Sequence, residues 1–595
     1  MGKERMDNTC YLTFYKDRIV FWGSADDLRN CNIPSKYNNK KYWFEFPLFP
    51  HIVEHLRQAV PDLKVDKKLE FFINVKKERL EKFHQLKQEK DTEQLKEVGL
   101  VDTELFPHQR VGTKMLELFP KLLVFDEMGL GKTITAIRTA LYRRKLGQCT
   151  RCLIISPNSI KRTVWANEIK KRTKLTCSVP SGTKKQREDE IKRFLEASKT
   201  RNENSFFIVV NFEMVQRFTD LLKQIADNQL LIIDECQRMK NLLSKTTKSI
   251  WKLNPYYLIS MTGTPVDNKV EDLFSIAEYV SPNIFGGYFT SFRDKYCVLE
   301  DIWTKKGRAE GQGAIKRKRI SGYKNFDDLK EKLSLISFRR LKKEVLNLPP
   351  KTYESRLISM TGEQKKCYDK IKQECYMLVC DKDQGEIEVI ANGILSQLLR
   401  LSQVTDGYLT DFADNTHSYW IEKGGKLSEL DQLVEDIVEY GKNKMIIWSR
   451  FKEVTTYLQK RYEKKYNAVF INGDVSEQQR AEIIDKFQND NSTMIFVGQV
   501  QSCGVGMTLH RANYEVFYDK CFVSSSSIIQ AEDRCHRIGM KDSLTIISLI
   551  AKDTVDEHWE KLLAYKLQDA DDILDDSKFE QRITKDRILN LLLKP

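Results

Sequence analysis

Two stretches of this chain repeat one rhythm, in which short, wholly apolar runs alternate with helical, charge-bearing sequence. The first stretch begins near residue 105 and carries KLLVF, CLIIS, FFIVV, LLIID and YYLIS. The second carries KMIIWS, NAVFING, STMIFVG, EVFYD and LTIISLIA. Runs with no polar alternate residue must bury both faces, as parallel strands joined by crossover helices do. Two such blocks predict an α/β chain with two lobes of similar fold.

The remaining sequence sorts around those blocks. Residues 1–75 read as a small α+β module. In it YLTFY and RIVFW flank the turn-prone Lys16–Asp17, KYWFEF follows Asn38–Asn39, HIVEHLRQAV is an amphipathic helix between Pro50 and Pro61, and LEFFIN is a last strand. Residues 76–100 predict a charged helical linker, 101–290 the first lobe, 291–425 a helical and basic insertion with interlobe sequence, 426–560 the second lobe, and 561–595 a C-terminal helical segment. The insertion region holds the basic run GAIKRKR (313–319) and FRRLKKEV, which reads as helical. The KRKR cluster can be a phosphate-contacting loop, a nuclear import signal or a solvated basic loop.

The strongest chemical signal lies in the first lobe. KLLVF leads into DEMGLGKT (126–133) and then into the helix pattern TITAIRTALYRR. Strand, glycine loop and helix is the context a phosphate-binding loop needs. Gly129, Leu130 and Gly131 bring backbone against phosphates, Lys132 reaches the β and γ phosphates, and the Thr133 hydroxyl suits Mg²⁺. Asp126 stands where the general motif begins with glycine. ATP chemistry also needs a carboxylate at the end of a neighbouring strand. LLIID ends at Asp234, assigned to Mg²⁺, and the next residue, Glu235, is placed to polarise the attacking water.

PHQRVG, DEMGLGKT, DECQ, MTGTPVDN, FRRLKKEV and QAEDRCHRIG occur in an order that resembles the SNF2 family of superfamily 2 helicase-like DNA-dependent ATPases, over about residues 105–560. That resemblance implies two RecA-like lobes with parallel sheets and helical insertions. It implies that Gln109 reads adenine, that Ser156–Trp165 and the NFE at 211–213 contact DNA, and that Thr262, Gly263 and Thr264 couple hydrolysis to lobe movement. In the second lobe it implies nucleotide or DNA roles for WSRF (448–451), NGDVSEQQR (472–480), Gly504, Gly506 and Gln530, and arginine-finger roles for Arg534 and Arg537 on one helix face. Gln237 replaces the family's usual histidine and Met540 the glutamine that commonly ends the last motif. NIPSKYNNKKYWFEFP loosely resembles the small module preceding the motor in HARP-type annealing helicases, where Tyr42, Trp43 and Phe44 beside Lys40 and Lys41 could stack on unpaired bases or instead form the module's core.

Composition bears on partners. The 595 residues carry a net charge of +14, which suits a polyanion and equally a soluble surface. The 13 cysteines have no framework spacing, and the one CxxC, Cys149 to Cys152, lacks the second ligand pair a zinc site needs. With no long apolar run, the expectation is an intracellular soluble chain, nuclear if eukaryotic, acting as a monomer on double-stranded or forked DNA with ATP and Mg²⁺. The expected function is a duplex-DNA translocase in repair, fork remodelling or strand annealing. The alternatives are a nucleic-acid scaffold without ATP turnover and an RNA-directed helicase.

Overall fold

The computed structural model describes residues 10–15, 18–26, 28, 35–60, 62–89, 105–199, 204–265, 269–304, 315–380, 387–410, 418–421, 424–503, 507–521 and 523–574. The chain divides into two compact units, one of residues 1–299 with 322–345 and one of 300–321 with 346–595.

The first unit is built on a seven-stranded sheet with every pairing parallel. Its order is Ser337–Phe338, Lys121–Val124, Tyr257–Met261, Leu230–Asp234, Cys152–Ser156, Ser205–Asn211 and Thr176–Ser178. The five interior strands are the five apolar runs of the sequence, buried along nearly their whole length because helices cover both faces. Both edge strands escaped the sequence reading. Thr176–Ser178 is short and partly exposed. Ser337–Phe338 lies at the start of FRRLKKEV, read as helix, yet only Lys342–Val345 is helical there. Pairing decides this: Leu123 and Phe125 donate their N–H groups to the carbonyls of Ile336 and Phe338 at 2.9 Å each, which holds the segment extended. The CxxC cysteines are both buried thiols in this unit, and burial pushes the Cys149 thiol up to about 12.

The N-terminal module carries a five-stranded sheet in the order Lys36–Asn38, Trp43–Pro47, Arg18–Trp22, Tyr11–Tyr15 and Lys64–Val65, antiparallel except for the last pair. LEFFIN is not its last strand. It belongs to the helix Lys67–Gln88, whose N-cap Asp66 accepts the Lys68 N–H. Leu69, Ile73, Leu80, Phe83 and Leu86 recur at helical spacing and are buried, while Phe71 and Phe72 are exposed. A run of adjacent apolar residues hid that period. The same helix packs on the first parallel sheet: Phe83 meets Phe119 edge-on at 5.4 Å, and Lys87 Nζ donates to the Ser334 carbonyl at 2.7 Å.

The second unit is built on a six-stranded parallel sheet in the order Lys351–Ile358, Leu544–Ala551, Tyr514–Phe517, Met445–Ser449, Ile495–Gln499 and Val469–Ile471. Alternate residues feed two cores. Met445, Ile447, Val497 and Leu549 join Leu401, Val404, Leu430 and Val454 on one face. Ile446, Trp448, Phe496 and Phe517 join Phe487, Leu509 and Cys535 on the other. Lys351–Ile358 was assigned to the helical interlobe region by sequence. It is an edge strand whose side chains are mostly exposed, so no apolar run marks it. Helices Gly362–Cys380 and Ile387–Thr405 agree with the helical reading of that region. The basic run is not a loop: Ile315–Tyr323 is a strand, paired with Cys297–Thr304 in a two-stranded sheet.

Candidate active site

The loop DEMGLGKT leaves the strand Lys121–Val124 and enters the helix Lys132–Lys145. Gly131 caps that helix in the left-handed region, at φ 79°, where a side chain is strained. A Cβ there would also lie 2.3 Å from Gln109 Nε2. The first amides of such a helix have no internal acceptor and form an anion site. Lys132 Nζ donates to the carbonyls of Asp126 at 2.8 Å and Glu127 at 3.3 Å, folded back over its own loop. Thr133 follows in the first turn.

The strand Tyr257–Met261 separates the loop's strand from Leu230–Asp234. Parallel pairing brings all three C-terminal ends to one rim, where ligands of such sheets sit. A Cβ on Gly263 would lie 3.3 Å from Lys132 Nζ, so the TGT segment touches the lysine's end. Thr262 is buried and its hydroxyl accepts the Thr264 N–H at 3.0 Å. Asp234 and Glu235 are both buried. Burial first, and then the Glu235 carboxylate beside it, raise the Asp234 carboxyl above the ordinary range. Glu235 itself sits at φ 54°, left-handed for a residue with a side chain, and Gln237 Nε2 donates to its Oε2 at 2.7 Å. Glutamine in the family's histidine position therefore orients the neighbouring carboxylate.

Two supporting residues were not singled out by sequence. Trp165 lies within Ser156–Trp165, read as contacting DNA, but the indole is fully buried and its Nε1 donates to Asp234 Oδ2 at 2.9 Å. In that stretch Asn158 and Arg162 are exposed. In the NFE segment Asn211 caps the helix Phe212–Arg217 and its Nδ2 donates to Asn158 Oδ1 at 3.2 Å. His108 Nε2 lies 2.9 Å from the Leu130 carbonyl, and Gln109 Nε2 donates to the same oxygen at 3.2 Å. Gln109 Oε1 accepts the Phe106 N–H at 3.1 Å. The buried Gln237 Oε1 and Thr264 Oγ1 have no hydrogen-bond partner in the structure. The donors that fit a polyphosphate are the open helix terminus and the Lys132 ammonium, and the unpartnered Thr264 hydroxyl has a proton to donate, whereas the Gln237 oxygen can only accept. Among the described residues no cluster of three histidine, cysteine or acidic side chains could hold a metal alone. A Mg²⁺ here would rely on phosphate oxygens with Thr133 and Asp234, the sparse protein ligation usual for that ion.

In the second unit Gln530 lies in the helix Ser525–Glu532 and is buried. Arg534 and Arg537 do not share a helix face, because the helix ends at Glu532. Cys535 is drawn into the core, its Sγ 3.3 Å from the Leu509 carbonyl, while Leu509 donates to the Arg534 carbonyl at 2.9 Å. That pairing turns the chain so both guanidiniums converge on one loop. Arg534 Nη1 donates to the Met507 carbonyl at 3.4 Å, and Arg537 Nη1 to the same oxygen at 3.1 Å and to Thr508 Oγ1 at 2.8 Å. Gly504 and Gly506 lie outside the described residues. The segment is anchored from the edge strand: Lys351 Nζ donates to Glu532 at 3.0 Å and Asp533 at 3.2 Å, and Tyr353 donates to Glu532 at 2.9 Å. Burial works to lower the Lys351 ammonium, but Asp533 and Glu532 outweigh it and hold it charged.

Two parallel sheets with crossover helices, one bearing a phosphate loop and a strand-end carboxylate pair, define a protein with two RecA-like lobes. The chain belongs to the SNF2-related family: the SNF2-related domain matches residues 66–407, over half of the chain, and the helicase conserved C-terminal domain matches residues 425–539. It is similar to YwqA of Bacillus subtilis, 25% identical over 78% of this chain and 48% of that protein. It is similar to the ATP-dependent helicase FUN30 of Saccharomyces cerevisiae, 23% identical over 82% of this chain and 48% of that protein. The chain thus spans about half the length of these curated relatives. Among solved structures it is similar to the SWI2/SNF2 ATPase core of Sulfolobus solfataricus in complex with dsDNA, at 27% identity over 82% of this chain and 96% of that one, with a TM-score of 0.37. The matched family residues begin at 66, so the likeness of the N-terminal sheet to HARP-type modules rests on its residues alone.

Proposed function

We propose that the chain hydrolyses ATP with Mg²⁺ and uses the cycle to move along duplex DNA. The observation that carries this reading is the convergence of Lys132, Gly263, Asp234 and Glu235 at one rim of the first sheet. In this reading Lys132 leaves the Asp126 and Glu127 carbonyls for the terminal phosphates, and the first-turn amides take the rest of the anion. Thr133 and Asp234 hold the Mg²⁺, which would neutralise charge on the phosphate oxygens. Trp165 keeps the Asp234 carboxylate turned toward the rim, and Gln237 keeps Glu235 oriented to accept a proton from the attacking water. Gln109 sits at the base of the loop, where it would read the adenine edge. Arg534 and Arg537 supply cationic charge to the transferring phosphoryl group as arginine fingers, and Gln530 and Gly506 take nucleotide-binding roles in the same reading. The net charge of +14 favours DNA as the track, and the family relatives named as ATP-dependent helicases support the same reading.

The test compares steady-state phosphate release on duplex DNA, forked DNA, single strands and RNA at fixed salt, for wild type and Lys132→Ala. Duplex DNA should stimulate wild type most, and Lys132→Ala should show none of that stimulation. Equal release from both proteins would defeat the motor. Stronger stimulation by RNA would move it to the RNA-directed class.

Within this reading we place the protein at forks or in repair, on the exposed aromatics of the N-terminal sheet. Tyr42 is 72% exposed, while Trp43 is buried and packs edge-on against Trp22 at 4.9 Å. Tyr42 can therefore offer a ring to an unpaired base, and Trp43 serves the module's core. Tyr42→Ala should weaken fork binding and leave linear-duplex binding unchanged.

A further inference from the structure

Three sequence motifs far apart in the chain meet at one guanidinium. Arg340, of FRRLKKEV, is 9% exposed. Its Nε donates to Asp126 Oδ1 at 3.0 Å and its Nη2 to Asp126 Oδ2, a two-pronged pair with the residue that opens the phosphate loop. Its Nη1 donates to the His108 carbonyl, in PHQRVG. The same group fills the space beside Gly112: a Cβ there would lie 2.5 Å from Nη2 and push against the guanidinium. The backbone repeats the grip. Glu127 N–H donates to the Arg340 carbonyl at 3.0 Å, and Lys342 N–H donates to Glu127 Oε2 at 2.6 Å.

One residue separates this cluster from the chemistry. The Asp126 side chain accepts Arg340, and the Asp126 main-chain carbonyl accepts Lys132 Nζ at 2.8 Å. The His108 ring, next to the carbonyl that Arg340 holds, lies 2.9 Å from the Leu130 carbonyl inside the loop. We propose that Arg340 is a positioning residue for nucleotide: through Asp126 and His108 it fixes the loop and the Gln109 helix start in the geometry that binds phosphate. An aspartate where phosphate loops usually begin with glycine is then the acceptor that makes the loop's shape depend on an arginine 214 residues later. The bidentate fork explains why this position carries arginine, since a lysine would satisfy charge without fixing direction.

The inference rests on the reading that the loop binds nucleotide, and its test separates the two. Fluorescent ADP binding and thermal unfolding are measured for wild type, Arg340→Met, Arg340→Lys and the pair Asp126→Asn with Arg340→Met. Arg340→Met should lose both stability and ADP affinity, because it strands a buried carboxylate. The double variant removes that charge and should recover the unfolding midpoint, yet bind ADP at least about tenfold more weakly than wild type. Arg340→Lys should fold and fall between them in affinity. If Arg340→Met does not fold, the other two variants carry the result. Wild-type ADP affinity in the double variant or in Arg340→Lys would reduce Arg340 to a structural ion pair and overturn the proposal. A wild type that binds no ADP would sink the nucleotide reading and this proposal with it.

Discussion

The two parallel sheets are each completed at one edge by strands from a single short stretch, residues 337–358, and those strands are opposites. Ser337–Phe338 is two buried residues, and its product is placement: it delivers Arg340 beside the phosphate loop. Lys351–Ile358 is eight residues, mostly exposed and rich in charge, and it anchors the arginine-bearing turn through Lys351 and Tyr353. A long exposed edge risks pairing with another chain, and its lysine, glutamate and arginine are what such edges use against that. The first sheet's reactive groups are held on one another, Asp234 on Trp165, Glu235 on Gln237 and Lys132 on its own loop. The second sheet's arginines are parked on a neighbouring loop and must exchange those bonds to act elsewhere.

That contrast breaks most visibly at Arg537. If the parked guanidinium is a reaction component, Arg537→Ala should cut DNA-stimulated turnover by about a thousandfold or more, the scale of a lost arginine finger. ADP binding, which involves no terminal phosphate, should remain near wild type. Turnover within about threefold of wild type would show that the parking site is the arginine's only role.

A stability contrast comes next. The second unit has a buried hub: Lys426 Nζ lies 2.9 Å from Asp406 Oδ1, 2.6 Å from Asp556 Oδ2 and 3.1 Å from the Tyr518 carbonyl. Lys426→Met would leave two carboxylates in the core without their cation. Breaking a buried pair from one side costs about 3–5 kcal/mol, so urea unfolding of the second unit should move by that amount. An unchanged midpoint would mean that water or protonation already compensates those carboxylates.

How far the sequence reads into this molecule follows from what each residue must bury. Strands buried on both faces announce themselves as apolar runs: the nine interior strands of the two parallel sheets, and the edge strand Val469–Ile471, are where the sequence puts them. The parallel-sheet strands that escaped, Thr176–Ser178, Ser337–Phe338 and Lys351–Ile358, lie at edges, where pairing rather than composition fixes the backbone. LEFFIN escaped for the converse reason: adjacent phenylalanines that stay exposed imitate a strand. At the site, glycine, lysine and paired carboxylates follow from phosphate chemistry, so Gly131, Lys132, Asp234 and Glu235 could be named. Trp165, His108 and Arg340 act by holding those groups across long sequence separations, and no local pattern encodes that. FRRLKKEV was legible as a family mark, but its contact with the phosphate loop was not.

The smallest expected effect probes the second core directly. Glu515 is fully buried, with Trp448 Nε1 donating to its Oε2 at 3.0 Å. Burial pushes its carboxyl up to about 8, against the opposing hydrogen bond from Cys535. The folded protein therefore keeps a proton that the unfolded chain releases near pH of about 4.3. Unfolding releases that proton anywhere between those values, so stability declines as pH rises from about 4.3 to about 8 and is then flat with respect to this group. Glu515→Gln keeps the carbonyl acceptor for Trp448 and cannot ionise. The variant should melt near wild type at pH 5 and progressively above it toward pH 8.5. A difference that stays constant across that range would show that Glu515 is ionised in the folded core, with a cation close enough to balance it.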